Sequence, residues 1–195
     1  MKCRFSGEEI PEVLCFGQMP LGNGFLKEQA PQNEYFFEMS VSVNNNIGLL
    51  QLNEQPSPKK MFHENYAFYS RSSSLMIEHF KYMSHEIKSL LNNNFLLDSN
   101  QLVVEVGSND GVMLEHLVKA NIPCLGIEPS KNVAKISHKY GVQTIEEFMS
   151  VDTAGKVISR YGNANIIYSA NVFCHIPDIN NLAQACSNLL KDGGF

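Results

Sequence analysis

The sequence lacks three things: a paired set of cysteines, a long apolar run and an excess of basic charge. Its five cysteines, Cys3, Cys15, Cys124, Cys174 and Cys186, are odd in number and widely spaced, with no CxxC pair. That pattern argues against a disulfide framework, and the cysteines read as reduced thiols. No stretch approaches the roughly 18 to 20 apolar residues of a membrane span. The opening MKCRFSGEEIPEVL meets acidic residues at once instead of an apolar signal-peptide core. A cytoplasmic location is therefore the expectation. Fifteen Lys and Arg, scattered against 20 Asp and Glu, leave a formal net charge of −5. Without a basic stripe to neutralise phosphates, neither nucleic acid nor an anionic membrane surface is expected as a partner.

What is present is enough for a folded core: 195 residues, 44% hydrophobic and 10% aromatic, which fits one domain with a small appendage. Three stretches differ in character. Residues 1–60 carry short apolar pieces (VLCFG, EYFFEMSVSV, IGLLQL) between Pro, Gly and Asn clusters and end in NEQPSPKK, which predicts a small loop-rich β module and a linker. Residues 61–100 predict a linker and a helix, with Met76, Phe80, Met83, Ile87 and Leu90 at helical spacing after a serine-rich start.

Residues 101–195 alternate strand and helix signals. LVVEV, CLGIE, VQTI and NIIYS read as strands. Between and after them come helices on Met113, Leu114, Leu117 and Val118, from Ser130, from the capping-box pattern Thr144-x-x-Glu147, and on Leu182, Cys186, Leu189 and Leu190. Alternating β and α predicts a parallel sheet with right-handed crossovers. The LLKDGGF end reads as a helix stop at Gly193 and Gly194 with Phe195 opening a further strand, so the sheet is expected to be incomplete, with an edge open to self-association.

The most informative segment is VVEVGSNDG, residues 103–111, followed by Glu128 in GIEPS. A glycine-rich turn between strand and helix lets a ligand approach the backbone, and a carboxylate at the tip of the second strand accepts hydrogen bonds from a ribose diol. The nucleoside is indicated by the loop itself. A dinucleotide fingerprint needs glycine where Asn109 stands, and Asp110 would repel a pyrophosphate. S-adenosylmethionine has no phosphate and carries a sulfonium and an ammonium, which Glu105 and Asp110 favour. Asn109 can take the left-handed conformation in place of the missing glycine. A second loop, SANVFCHIPD at residues 169–178, should face the first across the crevice. There His175 is a candidate base and Asn171 a candidate polar contact, with the alternative that His175 and Asp178 only organise a helix start.

Taken together, VVEVGSNDG, GIEPS, NVFCHIPD and LLKDGG resemble a class I S-adenosylmethionine-dependent methyltransferase. With MPLGNGF, IGLLQL, FHENYAFYSRSSS and EHF in that family's order, the chain is similar to the C-methyltransferases of nucleotide-linked keto-deoxysugars. The resemblance implies an α/β, Rossmann-like class I methyltransferase sheet, ending before its fifth strand, with a small N-terminal β-rich module. It implies proton removal beside the sugar ketone and attack of the enolate on the cofactor methyl, with a nucleotide sugar as substrate. The positions that match for cofactor are Glu105, Gly107, Ser108, Asn109, Asp110, Gly111, Glu128, Asn171 and Phe173. For proton and substrate handling they are His175 and one of Tyr66 or Tyr69. The domains expected are a degenerate zinc-binding-type module over 1–60, a linker and helix over 61–100, and a truncated cofactor-binding domain over 101–195.

The resemblance also implies zinc held by two cysteine pairs, at Cys3 and Ser6 and at Asn44 and Ile47, of which only Cys3 is a cysteine. Ser, Asn and Ile do not replace thiolates, so no zinc is expected and the module should be weaker for it. His63, His79 and His85 form no HExxH pattern and read as surface or packing residues. Two other functions stand as alternatives: a non-catalytic relative binding a cofactor or partner, and an NAD-dependent oxidoreductase.

Overall fold

The computed structural model describes residues 1–23, 34–93 and 101–195. Gly24 and Phe25 of MPLGNGF lie outside the described residues, as do residues 94–100 at the end of the expected linker and helix stretch. The described chain divides into two compact units, residues 1–62 with 176–180, and residues 63–175 with 181–195.

The first unit is a three-stranded antiparallel sheet in the order β1-β2-β3, with β1 Glu12–Pro20, β2 Phe36–Asn44 and β3 Leu49–Leu52. The turn from β2 to β3 uses the Asn44 side chain, whose Oδ1 accepts the Asn46 N–H (3.0 Å), and Gly48 at φ 68°. A four-residue helix, α1 Pro58–Met61, follows. Burial in this unit is unusually polar: Ser40, Ser42, Asn44 and Gln51 are buried with Cys3 and Phe37. Gln51 earns its place by spanning the N-terminal segment, accepting from the Arg4 N–H (2.8 Å) and donating to the Lys2 carbonyl (3.0 Å). Val13, Leu14, Phe16 and Leu50 point outward instead. Residues 176–180 belong here because the Arg4 guanidinium donates to the Ile176 carbonyl (3.1 Å) and Asn180 donates to the Phe5 carbonyl (3.2 Å).

The second unit opens with α2 Ser74–Asn93 and then alternates: β4 Val103–Val106, α3 Leu114–Val118, β5 Cys124–Ile127, α4 Lys131–Lys139, β6 Thr144–Ile145, α5 Val151–Tyr161, β7 Ile166–Ser169 and α6 Ile179–Leu189. The four strands form one parallel sheet in the order β6-β5-β4-β7. The α/β reading of the sequence therefore holds. The chain winds outward from β4 through β5 to β6 and then returns to the other side of β4, so the winding reverses at β4. In such sheets the crevice for a ligand opens at that reversal, outside the carboxyl ends of the strands. β4 is buried along its whole length. Its Val103 packs with Phe80, Ile87 and Leu91 of α2, Leu114 and Leu117 of α3, and Ile166 of β7.

Two local expectations are corrected. Thr144 does not cap a helix, because it lies in β6 paired with Gly126. α5 instead starts at Val151 behind Ser150, whose Oγ accepts the Thr153 N–H (3.1 Å), and Glu147 turns to Lys156 (2.7 Å). On α2 the apolar stripe passes from Ile87 to Leu91, which is 1% exposed, while Leu90 is 40% exposed. A four-residue step keeps the stripe on one face where a three-residue step would have left it.

Candidate cofactor site

β4 ends in the loop Gly107–Gly111, and its shape depends on three residues with positive φ: Gly107 (72°), Asn109 (49°) and Gly111 (72°). Asn109 thus adopts the left-handed conformation its short polar side chain tolerates. The two glycines also allow close approach. A Cβ at Gly107 would run into Val172 of the loop after β7, and one at Gly111 would lie 2.7 Å from Ser137 Cβ on α4. Ser108 packs its hydroxyl over Gly126, whose missing Cβ leaves the room for it.

Glu128, at the end of β5, fastens this loop to its own. Its Oε2 accepts the Asn109 N–H (3.0 Å) and its Oε1 the Ser130 N–H (2.7 Å). Three carboxyl groups are buried here: Glu105 at 3% exposure, Asp110 at 0% and Glu128 at 5%. Burial raises the pKa of all three, with Glu105 pushed well above the carboxylate range and the charges of Asp110 and Glu128 adding to its shift. Glu105 Oε2 has no hydrogen-bond partner among the described residues. A concentration of carboxyl groups in one buried place favours a cation.

A strap formed by residues 66–71 is tied to both loops. Asn109 Oδ1 accepts the Ser70 N–H (3.1 Å), Asn109 Nδ2 donates to the Phe68 carbonyl (3.1 Å), and Asp110 Oδ2 accepts the Arg71 N–H (2.8 Å). From α4, Asn132 Nδ2 donates to the Tyr66 carbonyl (2.6 Å) and to the Tyr69 hydroxyl (2.9 Å). Tyr66 is half-buried, and its pKa is raised by burial and then by the negative charge of Glu128. Arg71 turns inward, where its guanidinium donates to the Asp110 carbonyl (3.1 Å), pairs with Glu115 (3.0 Å) and stacks on Tyr140 (3.6 Å).

The loop after β7 carries Asn171 at φ 55° and a 3-10 turn at Phe173–His175, closed by the His175 N–H on the Val172 carbonyl (2.9 Å). Asn171, Phe173 and His175 are exposed. The structure thus gathers Glu105, the 107–111 loop, Glu128, Tyr66 and Tyr69 around the ends of β4 and β5. It sets Asn171, Phe173 and His175 on the loop that meets Gly107 through Val172. Sequence reasoning missed Arg71, Asn132, Tyr140 and Val172. Their partners lie far along the chain, and only the glycine at 107 hinted that something must come close.

A family model described as "Methyltransferase domain" matches residues 77–195. The chain belongs to the methyltransferase-domain family. A second family model, "Putative zinc binding domain", matches residues 3–62. The chain is 29% identical over 196 residues to the C-methyltransferase NovU of Streptomyces niveus, covering 100% of this chain and 46% of that protein. It is 26% identical over 95 residues to a ubiquinone biosynthesis O-methyltransferase of Bordetella avium, covering 48% of this chain and 39% of the relative. The methyltransferase-family chain thus spans less than half the length of these relatives. Among solved structures, an S-adenosylmethionine-dependent methyltransferase of Anabaena variabilis aligns with 56% of this chain and 48% of its own at 20% identity and a TM-score of 0.45.

Zinc is a poor fit to the N-terminal module of this methyltransferase-family chain. Cys3 is buried, with its Sγ accepting the Ser6 N–H (3.5 Å), and the Ser6 hydrogen bonds lower its thiol pKa to about 7. The neighbours, however, are not metal ligands. Asn44 Nδ2 donates to Ser6 Oγ (3.2 Å) and to Glu8 Oε2 (2.9 Å), while Ile47 is exposed. Structural zinc takes four thiolate or imidazole ligands in most sites, and no cluster of three or more His, Cys, Asp or Glu occurs among the described residues. Nor is any helix among them long and apolar enough to cross a membrane.

Proposed function

We propose that this chain carries the cofactor half of an S-adenosylmethionine-dependent C-methyltransferase whose substrate is a nucleotide-linked keto-deoxysugar. The observation that carries the cofactor reading is the buried carboxyl set of Glu105, Asp110 and Glu128 beside a loop that turns on Asn109 instead of a glycine. A pyrophosphate would oppose ionisation of these carboxyls further, whereas a sulfonium or ammonium favours the ionisation that burial opposes and then meets opposite charge in a low-dielectric setting. The unpartnered Glu105 Oε2 fits a cationic ligand. Glu128 fits a ribose diol, since each carboxylate oxygen keeps a lone pair beyond its one backbone bond. S-adenosylmethionine, when bound, supplies an electrophilic methyl group on a positively charged sulfur.

The C-methylation reading is supported by the likeness to the C-methyltransferase NovU over the whole of this chain, and the substrate class is the one that the sequence resemblance implies. On this reading His175 of the loop after β7 takes a proton from the carbon beside the ketone, leaving an enolate as the nucleophile. Asn171 and Phe173 beside it are free to contact cofactor or substrate.

The test is proton exchange at that carbon, followed by NMR in deuterium oxide, with the full-length protein, a nucleotide-linked keto-deoxysugar and no methyl donor. Exchange is expected with the wild type and should slow by about 10²-fold or more in His175→Asn. An unchanged rate in that variant would take His175 out of the role, and no exchange by the wild type would contradict the substrate reading.

A further inference from the structure

Three side chains, two from the loop after β4 and one from α4, converge on one short piece of chain. Asn109 and Asp110 lie after β4 and Asn132 on α4, yet the side chains of all three hydrogen-bond to residues 66–71. The Asn109 amide is held at both ends: its oxygen accepts from Ser70 (3.1 Å) and Asp110 (2.9 Å), and its nitrogen donates to Phe68 (3.1 Å). Asp110 is 0% exposed, with Oδ2 on the Arg71 N–H (2.8 Å), so its carboxylate is turned to the strap. The orientation of Asn132 is fixed by chemistry, because only its nitrogen can face the Tyr66 carbonyl at 2.6 Å. Its second hydrogen reaches the Tyr69 oxygen (2.9 Å), which leaves the Tyr69 proton for another acceptor.

We propose that Asn109, Asp110 and Asn132 are positioning residues that hold residues 66–71 as a wall of the nucleoside crevice, with Tyr66 and Tyr69 as ligand-facing groups on that wall. The proposal rests on the cofactor reading above and changes the work of its residues. Asn109 and Asp110 act on the ligand through the strap. Asn132 acts the same way from α4, so loosening any one anchor loosens the wall as a whole. Arg71 closes the end of the strap by reaching Asp110, Glu115 and Tyr140.

The experiment is amide hydrogen exchange of the 195-residue chain with and without S-adenosylhomocysteine, paired with titration calorimetry, for the wild type, Asn132→Ala, Asn132→Ser and Asp110→Asn. In the wild type the ligand should slow exchange across residues 66–71. Asn132→Ala should speed exchange at the Ser70 and Arg71 amides, which Asn132 does not itself bond, and weaken ligand affinity about tenfold. Asn132→Ser, which keeps one donor, should fall between, and serves in its place if the alanine variant does not fold. Asp110→Asn, which removes the buried charge that faces Arg71, should likewise speed exchange at the Arg71 amide and weaken affinity. Lost affinity with unchanged strap exchange would overturn the proposal in favour of direct ligand contact. Faster strap exchange with unchanged affinity would overturn it by removing the strap from the site. If the wild type binds no S-adenosylhomocysteine, the cofactor reading fails by itself, and the exchange difference between wild type and Asn132→Ala still decides whether Asn132 anchors the strap.

Discussion

Arg71 shows how a single residue organises the site without touching a ligand. Its guanidinium sits among Asp110 at 0% exposure, Glu115 at 6% and the ring of Tyr140. Removing one partner of a buried ion pair leaves the other charge uncompensated, at a cost of about 3 to 5 kcal/mol. Arg71→Met should therefore lower stability by about that much in urea titrations, and a change below about 1 kcal/mol would show that the pair is not what holds the strap. Glu105 makes a second prediction with a definite sign. Its pKa is raised well above the carboxylate range in the folded state by burial, then by Asp110 and Glu128. The folded chain therefore keeps a proton that the unfolded chain has released, and stability falls as pH rises from the ordinary carboxylate range upward. Glu105→Gln should flatten that fall. Asp110 and Glu128 shift in the same direction, so part of the slope should remain. The residues legible in the sequence, Gly107, Asn109 and Glu128, were those whose signal is local: a turn needing positive φ, and a carboxylate at a fixed spacing. Arg71 and Asn132 were not legible, because their contacts join positions 39 and 66 residues apart.

At the scale of elements, periodicity carried most of the fold. The strand and helix alternation after residue 101 became the parallel sheet, and the stripe on α2 became its packing face. The misreadings came from patterns that fit two structures. Thr144-x-x-Glu147 has the letters of a capping box, but Thr144 was already bound to Gly126 across the sheet. Leu90 and Leu91 are adjacent, and only the packing of α2 on α3 and β4 decides between them. That choice has a measurable outcome. Leu91→Ala should cost about 2 to 5 kcal/mol, the range for a buried leucine, and Leu90→Ala less than about 0.5 kcal/mol. Equal losses in thermal or urea unfolding would mean that the stripe leaves the core before the end of the helix.

At the scale of the whole molecule, the two units are built on different principles. The methyltransferase-family unit has an apolar core around a central strand. The N-terminal unit buries Ser40, Ser42, Asn44 and Gln51 and depends on hydrogen bonds, where the family model that matches residues 3–62 is described as a putative zinc binding domain. The outer edge of β7 is met by Phe195, whose N–H donates to the Asn165 carbonyl (3.0 Å) and whose carbonyl accepts the Ile167 N–H (2.7 Å). The central claim is that the crevice at the ends of β4 and β5 takes S-adenosylmethionine, and its most direct test is calorimetric titration of the 195-residue chain with S-adenosylhomocysteine and, separately, NADH. Micromolar binding of S-adenosylhomocysteine is expected, with none of NADH, and Glu128→Ala should weaken it by about 1.5 to 3 kcal/mol, the scale of hydrogen bonds to a charged group. NADH binding without S-adenosylhomocysteine binding, or no binding by a chain shown to be folded, would contradict the account.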